Sequence, residues 1–436
     1  MFISKRELIL FALMGLALAL VGLFQSPSVM LTIFNLCLIS AIMALGVNIQ
    51  WGYAGLFNAG VMGSAAIGGL VAVLVSQPPV AEAWQVGGMN MIFSLIILLA
   101  VIALIIFINH LTINYKGLIN FAVILGGYLV LRLFFDQGSI DIEDVNPATY
   151  GYLGGLGLPI ILSWLIAPFA AAGAAWIIGK ISLGLKPDYL AIATLGISEI
   201  IVAMTKNEDW LTRGVKNVVG LDRTPVPLEL ELQGSPWFIS LTQSLYGSTE
   251  HIQVFSSIFV KLCFALLFTL VLGIVLYLAM RALYSPWGRM MRAIRDNQDA
   301  AAAMGKDVVK RHLMVFIIGS GLIGLAGAML TMLDGQFTPA AYQPLRFTFL
   351  IWVMVIVGGS GNNWGSVLGG FLVWFVWIES EIGGQWLASW SADTYGASHD
   401  ITLWLKANAA YFRFFLMGVV LLAVLRFSPK GLLPER

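Results

Sequence analysis

Long apolar blocks, closed by short polar or glycine-rich turns, run the whole length of this chain. A helix needs roughly 20 mostly apolar residues to cross about 30 Å of hydrocarbon. Blocks of that kind lie near 8–24, 29–49, 53–75, 90–109, 117–135, 157–180, 187–205, 256–280, 313–333, 346–360, 363–380 and 408–427. The pairs 29–49/53–75 and 346–360/363–380 are separated by very short turns, so the reading includes broken or re-entrant helices and a total of ten to twelve. Either even count puts both termini on one side. The pattern predicts an all-α, polytopic integral membrane protein, with residues 1–436 forming a single transmembrane domain.

Two stretches interrupt the apolar pattern, 206–255 and 381–407, and both are expected on the outer side. The first holds Pro225, Pro227 and Pro236 with several glycines and charges of both signs, which predicts an ordered surface loop carrying a short helix. The second places Trp386, Trp390 and Trp404 among polar residues. Tryptophan favours the membrane–water interface, so this stretch reads as a loop carrying a surface-lying helix. The first block ends in Phe24-Gln25-Ser26-Pro27 without a small-residue cleavage site, which predicts a retained span rather than a removed signal.

Composition agrees with the pattern. The chain is 59% hydrophobic and 11% charged, against about 25% charged for an average soluble protein. Charge then orients the spans. Residues 281–312 carry Arg281, Arg289, Arg292, Arg295, Lys306, Lys310 and Arg311 against Asp296, Asp299 and Asp307. Lys and Arg accumulate in cytoplasmic loops, so this loop is expected in the cytoplasm. In a twelve-span count Lys5, Arg6, His110, Lys116, Lys180, Lys186, Arg426, Lys430 and Arg436 fall on the same side. The loop 136–156 falls opposite, and it has Asp136, Asp141, Glu143 and Asp144 with no Lys or Arg. Both termini are therefore expected in the cytoplasm.

Little in the chain looks catalytic. Cys37 and Cys263 sit in apolar blocks as small core residues, and the four histidines lack metal-ligand spacing. No serine or cysteine has a nucleophile motif around it, and no GxxxxGK[ST] phosphate loop exists: Gly173 to Gly179-Lys180 has the wrong spacing. No enzyme activity, cofactor, metal or nucleic-acid partner is expected. Glycines cluster at 52–69, 319–327 and 358–370. Small residues let helices approach closely in lipid, but glycine beside Asn and Ser also breaks helices and leaves backbone groups to line a path. The segments 51–75 and 358–376 each combine a Trp, clustered glycines and an Asn, the arrangement of an inverted repeat with broken helices; glycine abundance alone gives the same picture. Glu199 is the deepest acid, and it is open to structural pairing or to a role in the path.

The stretches LGVNIQWGYAGLFNAG (45–60), LKPDYLAIATLGISEI (185–200), TRGVKNVVGL (212–221), the run 287–329, VMVIVGGSGNNWGSVLGG (353–370) and FSPKGLLPE (427–435) resemble one family. It is the permease subunits of ATP-binding-cassette importers for branched-chain amino acids, LivM type. The resemblance implies two ATPase subunits that spend the ATP, a second permease of LivH type, a periplasmic substrate-binding protein and a bacterial inner membrane. It also implies a cytoplasmic coupling element, E-A-A, three residues, then G, that enters a groove on the ATPase. Asp299-Ala300-Ala301 followed by Gly305 has that spacing with Asp for Glu. Independently of family, Ala300 to Ala303 favours helix and Gly305 suits its end. Arg289, Arg292 and Arg295, at i, i+3 and i+6, are expected to flank it from one face, as docking groups, as a topology signal or as ligands for anionic membrane lipid. An aliphatic amino acid needs apolar walls for its side chain and hydrogen bonds for its zwitterion. The expected path therefore runs past Gly55, Asn58, Gly60, Thr194, Glu199, Gly358, Gly359 and Asn362. Permeases for urea or short-chain amides are closely similar, and an ion-coupled secondary transporter would rely on Glu199. The extra length relative to the family is expected near 76–160 and in 381–407.

Overall fold

The computed structural model describes residues 4–111, 114–147, 149–246 and 250–435; Arg436, one of the orienting basic residues, lies outside them. A capping box opens α1 (Lys5–Phe24): the amide of Glu7 donates to Ser4 Oγ at 3.2 Å, and that of Ser4 to the Glu7 carboxylate at 2.6 Å. Ser26 caps α2 (Pro27–Val47), whose first residue is a proline with no amide to satisfy. The helix continues as a π-turn over Asn48–Gly52 and then breaks; α3 (Val61–Ser76) leads back. A short α4 (Ala81–Ala83) and a second π-turn, Trp84–Gly88, introduce α5 (Met89–His110), followed by α6 (Lys116–Glu143), α7 (Ser163–Ser182) and α8 (Pro187–Asn207).

Short elements follow: α9 (Asp209–Thr212), β1 (Val218–Val219), α10 (Glu229–Gly234) and α11 (Pro236–Tyr246). Then come α12 (Ile252–Tyr284), α13 (Pro286–Asp296), α14 (Gln298–Ala303), α15 (Val308–Asp334), β2 (Gln336–Phe337), α16 (Pro344–Gly358), α17 (Asn363–Tyr395), α18 (Asp400–Asn408) and α19 (Phe412–Phe427). Strands β1 and β2 pair antiparallel, Val218 opposite Phe337 and Val219 opposite Gln336.

Among the described residues ten helices are long and apolar enough to span a membrane, while α3 and α16 are shorter apolar helices. The chain is a multi-pass, all-α membrane protein. The twelve predicted blocks are thus ten full spans and two short helices, each adjoining a break. Two boundaries differ from expectation. Among the described residues of 206–255 lie the short helices α9, α10 and α11 and the strand β1, and Phe238 of α11 is buried and stacked on Phe255 with ring centroids 5.1 Å apart. Residues 381–395 are not a loop but the continuation of α17, and α18 occupies most of the remainder. The polar Gly383-Gly384 stretch stays helical because Gly384 packs closely on Ala409 and the hydroxyls of Ser391 and Thr402 join α17 to α18 at 2.7 Å.

The centre of the bundle is built by α2, α3, α7, α15, α16 and α17. Glycine permits the close crossings: a Cβ on Gly68 would collide with the Gly324 carbonyl, joining α3 to α15 at backbone distance. The α5–α6 hairpin, in the region expected to hold extra length, lies outside this centre. It is anchored at one end by Ala83, Met91, Ile142 and Leu153. The carboxyl-terminal tail returns to α13, through Glu435 on Arg295, and Phe11 of α1 packs on Trp364 at the start of α17. Both ends of the chain therefore sit at the end of the bundle that carries α13 and α14.

Candidate functional site

Each helix break is held by buried side-chain amides, and within them Asn363 Nδ2 is left without a hydrogen-bond partner. Asn48 Oδ1 accepts from the Gly361 amide at 2.8 Å, and Asn48 Nδ2 donates to Asn363 Oδ1 at 3.0 Å, so the break after α2 is tied to the break between α16 and α17. Tyr53 donates its hydroxyl to the same Asn363 oxygen at 2.6 Å. Gln50 Nε2 donates to the Phe316 carbonyl and to Ser320 Oγ, at 3.0 and 3.1 Å, and its oxygen accepts from Asn58 Nδ2 at 2.9 Å. Irregular backbone inside a membrane must be satisfied by the protein around it. These side chains do that.

The residues expected along a path, Glu199 excepted, lie in or against these breaks. Asn58 Oδ1 accepts from the Gly60 amide at 2.8 Å, and its carbonyl accepts from Trp352 Nε1 at 3.0 Å. Thr194 Oγ1 accepts from the Ala59 amide at 3.1 Å. Asn58 and Thr194 are buried, and the side chains of both hydrogen-bond within the break. Gly55 has φ +71° and Gly359 φ +115°, conformations that favour glycine. Gly60 lies against the Thr194 carbonyl, and Gly358 against that of Gly365. Asn362 caps α17 by accepting from the Trp364 and Gly365 amides at 3.0 and 3.3 Å. Beside the break, the half-buried Trp51 and the exposed Phe57 stack against Trp352 with centroids 4.8 and 4.3 Å away. Of this aromatic wall only Trp51 stood out in the sequence, through its glycine neighbours.

Glu199 is not part of that hub. It lies on the exposed face of α8 and lines a separate groove of about 760 Å³ with Lys206, Arg346, Phe349, Trp377 and Met417. Thr194 and Glu199, one path in the sequence, point to different places.

The basic segment also divides. Ser285 caps α13 by accepting from the Gly288 amide at 3.3 Å, and Met291 and Ile294 are fully buried beneath it. Arg289 is exposed, but Arg292 and Arg295 turn inward onto Glu435, at 3.8 and 2.8 Å. The three arginines therefore do not act as one face; six residues at 100° per residue spread them, and a distant carboxylate takes two. Arg295 Nη1 also donates to the Gly52 carbonyl at the break. Burial disfavours its charge, but hydrogen bonds to Glu435 and Asp296 more than offset that and hold its pKa above the ordinary value.

Helix α14 has the expected form. Asn297 caps it, accepting from the Ala300 amide at 2.9 Å, and Gly305 ends it with φ +77°. Asp299, Ala300, Ala302, Ala303 and Met304 are exposed, whereas Ala301 is buried against the core. Among the described residues no group of three or more His, Cys, Asp or Glu could hold a metal.

A family model described as "Branched-chain amino acid transport system / permease component" matches residues 29–425. The chain belongs to this permease family. It is thus a transport component rather than an enzyme. The permease is 27% identical over 347 residues to a probable branched-chain amino acid transport permease protein LivM of Methanocaldococcus jannaschii, covering 74% of this chain and 87% of that relative. It is 27% identical over 268 residues to the LivM high-affinity permease protein of Escherichia coli K12, 58% of each chain. The M. jannaschii protein named LivH matches at 24% over 276 residues, 59% of this permease and 78% of the relative. No solved structure matches the permease.

Proposed function

We propose that this permease is the LivM-type membrane subunit of an ATP-binding-cassette importer for branched-chain amino acids. It works beside a LivH-type permease, receives solute from a periplasmic binding protein, and is driven by two separate ATPase subunits docked at α14. In this reading α13, α14 and both termini face the cytoplasm of a cell bounded by an inner membrane, and the helical segment 206–246 faces outward. The observation that carries it is α14: a six-residue capped helix presenting Asp299 and bare methyl groups to solvent, ended by a left-handed glycine. Short side chains seat a helix closely in a partner's cleft. Through α13 and Arg295 the same unit reaches both helix breaks.

The reading is tested by co-expressing the permease with the second permease and the two ATPases. Gly305→Val strains the φ +77° turn and places a branched side chain where the helix must end. It should reduce co-purified ATPase and ATP-driven leucine uptake at least tenfold. Full co-purification and uptake with Gly305→Val and Asp299→Lys together would refute docking at α14. Uptake of urea in place of leucine would reassign the substrate.

A further inference from the structure

The groove that Glu199 lines also contains an arginine that makes no ion pair among the described residues. Arg346, the third residue of α16, lays its guanidinium over the rings of Phe347, Trp377 and Phe414 at 5.3, 5.0 and 5.3 Å. Its Nε is buried without a hydrogen-bond partner, and it makes no ion pair among the described residues. The neighbouring Arg413 differs: it lies over the other side of the Trp377 environment at 5.1 Å but is paired with Glu381. Aromatic faces attract a guanidinium, yet they accept none of its planar fork of N–H donors, which match a carboxylate. Glu199 opens into the same groove, also without an ion pair among the described residues. Phe349, Leu350, Met417 and Leu421 line the groove with them.

We propose that this groove, framed by α8, α16, α17 and α19, is the outer part of the solute path and binds the amino-acid zwitterion directly. Arg346 takes the carboxylate, Glu199 takes the ammonium, and the four apolar residues take the aliphatic side chain. The assignment rests on the importer reading above and names where its solute is held. Three features favour an amino acid. Glu199 and Arg346 set one charge of each sign among apolar walls, the complement of such a molecule. Its volume of about 760 Å³ is within the range of roughly 300–1,000 Å³ usual for small-ligand sites. Arg346 lies near the start of α16, the end of the bundle away from α14, where solute would arrive. Lys206 also lines the groove, but it stands seven residues beyond Glu199, about 10 Å along α8, next to the helix end, where its ammonium reaches water. A phospholipid, the competing occupant, would bring its phosphate toward a groove that also holds a carboxylate.

The experiment uses the whole transporter in proteoliposomes with its binding protein and radiolabelled leucine, scored per assembled complex. Arg346→Gln and Glu199→Gln should each lower uptake at least tenfold, and Arg346→Lys should recover part of the loss. As a direct reading of occupancy, Met417→Cys in a Cys37→Ser, Cys263→Ala background should be alkylated several times more slowly during leucine turnover than without leucine. Uptake within twofold of wild type in both glutamine variants, or alkylation indifferent to leucine, would overturn the site while leaving the importer reading intact. Loss of uptake that is reversed by changing only the phospholipid headgroup would assign the groove to lipid and overturn it too. Absence of leucine uptake by the assembled wild-type complex would overturn the importer reading itself, and the site with it.

Discussion

Asn48 offers the sharpest test of how the two helix breaks are held. The side chain is fully buried, accepts from the Gly361 amide at 2.8 Å and donates to Asn363 at 3.0 Å. Asn48→Ala removes both bonds at once. Asn363 keeps the Tyr53 hydroxyl at 2.6 Å, so its oxygen is not orphaned; the Gly361 amide is. A buried donor left without a partner costs about 1–3 kcal/mol, and the lost neutral bond about 0.5–1.5 more. Side-chain hydrogen bonds inside membranes measure lower, averaging about 0.6 kcal/mol, because the unfolded chain in lipid also finds partners. That discount applies to the Asn48–Asn363 bond and less to the Gly361 amide, whose bond is buried in the folded protein. The expected loss is about 2 kcal/mol. Reversible unfolding by sodium dodecyl sulfate in mixed micelles measures it, with Asn207→Ala as the comparison, since exposed Asn207 bonds only to Ala203 within its own helix. If Asn48→Ala falls within about 0.5 kcal/mol of Asn207→Ala, the amide hub does not hold the breaks.

Two further outcomes follow from the same geometry. Arg295→Gln removes the pairing to Glu435, a charge-assisted contact worth about 1.5–3 kcal/mol when buried and about 1 kcal/mol here, because a quarter of each side chain is exposed, 25% and 26%. Its readout is the tail: carboxypeptidase should trim residues after 428 several times faster than in the wild type, and an unchanged rate would refute the tie. Gly68→Leu forces a side chain onto the Gly324 backbone, where nothing flexible can yield; overpacking of more than about 3 kcal/mol should abolish a monodisperse peak in size exclusion. Gly173→Ala, in a helix with nothing within 4 Å, should be neutral or stabilising by up to about 1 kcal/mol. Equal behaviour of these two variants would show that backbone contact between α3 and α15 is unimportant.

The spans were legible because length and apolarity are local properties, and every apolar block became a helix. Their ends were less so. Residues 381–395 look polar enough for a loop, but α17 has a neighbour to cover it: Gly384 meets Ala409, and Ser391 meets Thr402. The helix α14 was readable from four alanines and a glycine; its Asn297 cap was not singled out. The inward turn of Arg292 and Arg295 was not, because it depends on Glu435, which folding alone brings near. Asn58 and Thr194 were read as lining of a path; in the structure their side-chain oxygens accept from the Gly60 and Ala59 amides. Arg346 escaped notice because PLRFTFL reads as an ordinary helix start, and only the packing of Trp377 and Phe414 around it reveals an unanswered charge.

The relation between α14 and the breaks can be weighed by magnitude. Burying Met291 and Ile294 fully stabilises the seating of α13 by about 1.5–3 kcal/mol each, an upper figure because the unfolded chain is itself partly compact. The Arg295 contacts contribute about 1 kcal/mol after allowance for exposure. Packing, then, keeps α13 on the bundle, so that in the proposed coupling a force applied at α14 would move α13 together with the helices beneath it. Arg295 adds direction rather than strength. A single guanidinium that meets both the Gly52 carbonyl and Glu435 fixes which turn of the broken α2 lies against the tail, and the tail in turn is bonded to α16 through the amide of Leu432 on the Val357 carbonyl at 2.8 Å. Loss of Arg295 should therefore leave α13 attached and α14 able to dock, while the two breaks no longer share one register with it.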